Sequence, residues 1–133
     1  MKGAFKTLTI TVTLLLIPPA IAQQSSNVLQ TMKSTVIPAS DAVFAVGNSA
    51  PKTPQEWSAV ESGAAKLIDA AKSLTAQAPA AAGASWGKYS KAMSDAATTA
   101  LKAAQARNVD AVLDAGDVLY TSCEECHRQY LKK

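Results

Sequence analysis

Apolar residues recur every three or four positions along most of this 133-residue chain. That is the period of an amphipathic helix, in which one face turns towards a core. Four segments carry the period, and none alternates as a strand would. The first runs from about Ser26 to Val46, with Leu29, Met32, Val36, Ala39, Val43 and Val46 on one face. Pro38 interrupts it. A proline inside a helix removes one backbone hydrogen bond and clashes with the carbonyl four residues back. A kink or a restart is therefore expected, with Ser40 placed to cap the new start. Gly47, Asn48 and Pro51 end the segment.

The second segment has a clear beginning. Thr53-Pro54-Gln55-Glu56 offers a capping box, with Thr53 as N-cap, Pro54 at the first helical position and Glu56 reaching back. Trp57, Val60, Ala64, Leu67, Ala71 and Leu74 then repeat to about Ala76. Residues 77–83, with Pro79 inside, form a loop too short to link two domains. The third segment starts after Ser85 and reaches about Arg107, its inner face being Trp86, Tyr89, Met93, Ala96, Ala100 and Ala104. Asn108 caps a fourth, whose stripe is Val109, Leu113, Gly116, Tyr120, Cys123, His127 and Tyr130. Four helices of similar length with short connections predict an all-α, antiparallel up-down-up-down bundle, an architecture that builds cofactor sites between facing helices.

The first 22 residues read as a secretory leader. Lys2 and Lys6 form the charged start, Leu8 to Ile17 the apolar run, and Ala20-Ile21-Ala22 a small-x-small cleavage site. Residues 23–133 then form one domain with one core, and no membrane span is expected in the mature chain. The formal charge of +3 falls to +1 once Lys2 and Lys6 leave, 11 basic side chains facing 10 acidic ones. That balance gives no case for nucleic-acid binding, which usually shows a basic patch. Low aromatic content and abundant alanine fit closely packed helices.

The chemistry is concentrated in Cys123-Glu124-Glu125-Cys126-His127. Cys-x-x-Cys-His is the attachment pattern of c-type haem: each thiol adds to one vinyl group and the histidine takes the iron. On a helix, residues three and four apart point to one face, at about 100° per residue, so one turn can hold a flat ligand by three bonds. A thioredoxin-like redox pair would sit early in a βαβ setting. A zinc site would need a fourth ligand, and His127 is the chain's single histidine, with no cysteine beyond these two. Exported thiols are normally driven to a disulfide; thioether bonds to haem account for both.

An exported four-helix chain ending in Cys123-x-x-Cys126-His127, with aromatic Tyr130 three residues on, resembles the class II c-type cytochromes, the cytochrome c-prime family. Class I cytochromes c carry the motif near the N-terminus instead. Leu131 stands where many members of the family have a basic residue, and Lys132 follows. The resemblance implies one covalently bound haem c near the end of the last helix, with His127 as proximal iron ligand. It also implies that the first helix supplies the residue over the distal face. In one style of the family a methionine of that helix ligates the iron, giving an electron carrier. In the other the sixth position is open behind an apolar guard, giving a five-coordinate haem that binds nitric oxide or carbon monoxide.

Candidates for the distal position are Met32, Met93, a lysine or nothing. Met32 and Met93 both fall on inward stripes at haem level, and spacing does not separate them; the resemblance favours Met32. Trp86 and Tyr89 lie at the same end of the third segment and are candidates to pack on the ring, although core packing explains them equally. Glu124 and Glu125 read as a solvated face. Arg128, Lys132 and Lys133 either approach the propionates or solubilise the last turn.

The expected function is electron transfer with transient redox partner proteins in the periplasm, and no nucleophile–base pair points to an enzyme. The alternatives are the gas-binding cytochrome and, from another class, a haem-free thiol–disulfide oxidoreductase using Cys123 and Cys126. Family members often pair through their first two helices; the alanine-rich outer faces here neither require nor exclude a homodimer.

Overall fold

The structure, a computed structural model, describes residues 27–131. The expected leader at 1–22, together with Lys132 and Lys133, lies outside them. Four helical elements pack around one core, and no strand occurs among the described residues. Element α1 covers 27–47: residues 27–31 are α-helical, Met32–Val36 is a π turn, Ile37–Phe44 returns to α, and Ala45–Gly47 tightens to 3-10. Then follow α2 (Pro54–Ala76), α3 (Ala84–Gln105) and α4 (Val109–Tyr130). Helices adjacent in sequence pack most closely, and the α1–α4 seam is the loosest.

The expected start of α2 is in place. Thr53 Oγ1 accepts from the Glu56 N–H at 3.2 Å, and the Glu56 carboxylate accepts from the Thr53 N–H at 2.8 Å. Two of the orphan donors at the helix start are thereby satisfied. Asn108 caps α4 through Oδ1, which accepts from the Ala111 N–H at 3.1 Å. The α3–α4 turn closes with Arg107 in the left-handed region, φ 51°. Its N–H donates to Ala104 O at 2.9 Å, and the Asn108 N–H donates to Ala103 O at 3.0 Å, which is the Schellman pattern.

The stripes of α2 and α3 face inwards as expected, except that Tyr89 is only partly covered. Small side chains set the spacing. A Cβ on Gly63 of α2 would lie 2.7 Å from Ala39 O and 2.9 Å from the Ala42 Cβ, so the absence of a side chain there lets α1 and α2 touch.

Two expectations need correction. Ser40 does not cap a new helix start at Pro38. The helix widens into the π turn just before it, and Ser40 sits inside the helix with its hydroxyl donating to Ile37 O at 2.9 Å. The widening also turns out Leu29, which is 54% exposed, and brings Val28 against the core in its place. In α4 the buried residues are Val112, Ala115, Gly116, Leu119 and Ser122; Gly116 belongs to the expected stripe and the other four lie one residue off it. Leu113 and Tyr120 are instead exposed, at 39% and 60%. They border a groove facing Phe44 of α1, whose ring meets Tyr120 edge-on with centroids 6.4 Å apart.

Candidate functional site

Helix α4 runs unbroken through the motif, and its last turn closes with the Leu131 N–H donating to His127 O at 2.8 Å. Cys123, Cys126 and His127 therefore project along one side, next to the buried row rather than within it. The two cysteines are half-buried and unpaired, and His127 is exposed. Burial pushes the Cys123 thiol up from its ordinary value. Burial, then the neighbouring Cys123, raises Cys126. A dithiol oxidoreductase needs an attacking thiol displaced the other way.

Two clefts flank the motif. An enclosed one of about 40 Å³ is walled by Met32, Val36, Leu74, Met93, Cys123 and the Trp86–Tyr89 turn, and reaches Cys126 and His127. A more open one of about 290 Å³ lies beyond, between Val28, Met32, Trp86, Tyr130 and the same Cys126 and His127. Met32, Trp86, Cys126 and His127 border both. Met93 borders only the enclosed cleft and is 6% exposed, so it is a core side chain that reaches the wall. Every predicted site residue thus comes together at one end of the bundle, and Met32 rather than Met93 lies on both sides of the motif.

Aromatic side chains brace this end. Trp86 Nε1 donates to Leu74 O at 2.6 Å, tying the start of α3 to the end of α2. Tyr130, three residues beyond His127, donates its hydroxyl to Ala82 O at 2.7 Å. Its ring meets Trp86 edge-on at 5.0 Å and Tyr89 at 6.2 Å. Desolvation, then Cys126 and Tyr89, raises the Tyr130 pKa and keeps the phenol protonated as a donor. Thr31 Oγ1 and the Gln77 side-chain amide meet at 3.2 Å, fixing the residue beside Met32 to the end of α2.

The sequence pattern did not single out the two serines of the wall. Ser90 donates to Trp86 O at 3.0 Å and Ser122 to Leu119 O at 2.7 Å. Their hydroxyls are thus spent within their own helices, and the wall they leave is effectively apolar. Glu124 and Glu125 are exposed. Arg128 reaches Glu124 at 3.7 Å on the surface, a pair worth little in water.

This site fits a covalently held haem in its donor set. Two unpaired thiols and one imidazole share a side of a single helix, beside an apolar cleft lined by aromatic rings and a thioether. The open cleft alone is near the lower end of small-molecule sites, roughly 300–1,000 Å³. No protein-family model, curated protein or solved structure matches the chain.

Proposed function

We propose that the chain is an exported monohaem c-type cytochrome of the class II kind, acting as an electron carrier in the periplasm. The observation that carries the reading is that Met32, Cys126 and His127 border the same two clefts, with Cys123 beside them. Cys123 and Cys126 would hold the haem through thioethers, His127 would take the iron on the proximal side and Met32 on the distal side. When bound, the haem supplies a one-electron ferric–ferrous couple, which axial methionine and burial set at a higher potential.

The protein contributes rigidity and an apolar setting. His127 and Met32 stand on two different helices, each tied to the α2 end of the bundle through Tyr130, Trp86 and Thr31. Both are thereby restrained when the charge between them changes, which keeps reorganisation small. Val36, Leu74 and Trp86 give the smaller cleft apolar walls. The reading includes an up-down-up-down course for the helices. It is supported by the meeting of Thr31, Gln77, Trp86 and Tyr130, which belong to alternate ends of successive elements.

A second reading has one observation in its favour. The enclosed cleft is walled by Val36 and Met93 as well as Met32, an apolar setting that suits an open sixth position for nitric oxide or carbon monoxide. Ferric and ferrous absorption spectra of the holoprotein and of Met32→Ala separate the two. The electron-carrier reading expects a low-spin spectrum whose methionine–iron band disappears in the variant. A high-spin spectrum, the same in both proteins and shifted by carbon monoxide, would replace it with the gas-binding reading.

A further inference from the structure

We propose that Pro38 is a positioning residue for the distal side: the π turn it imposes rotates Met32 towards α4, where it faces Cys126 and His127. The role assigned to Met32 rests on the reading above; the register change itself does not.

Proline has no N–H to give, and its ring collides with the carbonyl four residues back, here that of Ser34. The backbone evades both problems one step earlier. The Ile37 N–H donates to Met32 O, five residues back instead of four. Each such turn takes in one extra residue. Everything upstream is then displaced by one position, roughly 100° around the axis.

The upstream side chains carry the mark of that displacement. In an uninterrupted α-helix Leu29 would fall in the row of Val36, Ala39 and Val43, and Val28 would lie beside it. The opposite holds: Val28 touches the core and Leu29 is 54% exposed. Thr31 would face solvent in an uninterrupted helix, yet it meets Gln77 beyond the end of α2.

Met32 moves with them. A regular helix would place it on the side of Val36 that carries Ala39 and Ala42, the side pressed against Gly63 of α2. The π turn carries it across to the side of Phe44, whose ring meets Tyr120 of α4. From there it borders both clefts at the motif.

The test uses the full chain in three backgrounds: native, Pro38→Ala, and Pro38→Ala with the exposed Lys33 deleted. The deletion removes the extra residue and restores the upstream register in a regular helix. In each background the shifts of urea midpoint caused by Val28→Ala and by Leu29→Ala are compared. The proposal expects Val28→Ala to give the larger drop in the native chain, Leu29→Ala in Pro38→Ala, and Val28→Ala again after the deletion. The holoprotein's methionine–iron band should be present, lost and regained in the same order. An unchanged order in Pro38→Ala overturns the role of Pro38. A reversed order with an unchanged band overturns its bearing on Met32 alone. A native chain that carries no haem removes the proposed function, and the order of the midpoints still decides the register.

Discussion

Trp86 and Tyr130 meet edge-to-face with ring centroids 5.0 Å apart, joining the start of α3 to the turn of α4 that follows His127. Each is also fixed by a hydrogen bond to a backbone carbonyl, of Leu74 and Ala82. The pair is a brace on the motif, and its removal should cost stability in two sizes. Tyr130→Phe keeps the ring and loses one hydrogen bond, so about 1 kcal/mol is expected. Trp86→Ala empties a buried aromatic site and should cost about 3–5 kcal/mol. Urea unfolding of both variants checks the ranking; equal losses would mean that the aromatic contact does no bracing.

Gly63 and Gly87 should respond oppositely to alanine. A Cβ at Gly63 meets the Ala39 carbonyl at 2.7 Å, and neither backbone can yield without parting α1 from α2. Overpacking of that kind costs about 1–3 kcal/mol, enough to outweigh a gain in helix propensity of about 1 kcal/mol. At Gly87 of α3 a Cβ meets nothing within 4 Å, so the propensity gain of about 1 kcal/mol should appear in full. Thermal or urea unfolding reads both signs.

Glu56 gives an acid-sensitive start to α2. The backbone N–H groups of Lys52 and Thr53 donate to its carboxylate and hold its pKa below the ordinary 4.5. A depressed pKa means the folded chain prefers the ionised form. Its contribution is therefore present above the unfolded value and lost as pH falls through the folded one. Unfolding from neutral pH into the acid range should lose stability faster in the native chain than in Glu56→Gln. Parallel curves would show that the capping carboxylate contributes nothing.

How far the sequence discloses this molecule differs from helix to helix. Helix α2 is plain because Thr53, Pro54 and Glu56 state its start and large side chains at Trp57, Leu67 and Leu74 state its face. Helix α1 is less so: a proline inside a helix can be met by a kink, a break or a wider turn, and a fixed period assumes none of these. The turn before Met32 is therefore read one residue out, with Leu29 taken for Val28. Helix α4 misleads for another reason. Leu113 and Tyr120 are the larger apolar side chains and draw the stripe to themselves, whereas the true core row is built partly from Ala115 and Ser122, which carry little hydrophobic signal. The motif is legible without a correct stripe, because spacing alone picks out its residues, not burial. The walls that complete it, Val28, Ser90 and Ser122, emerge only when helices distant in sequence are set side by side.

Covalent haem at Cys123 and Cys126 is the claim on which the rest stands. Its most direct measurement is the reduced pyridine spectrum of the chain, produced together with the machinery that attaches c-type haem, before and after acid–acetone extraction. The expected result is the spectrum of a haem with both vinyl groups saturated, one per chain, retained by the polypeptide after extraction and absent from a Cys123→Ala, Cys126→Ala double variant. A chain without haem, with both thiols free, or one whose haem is extracted with its vinyl groups intact, would contradict it.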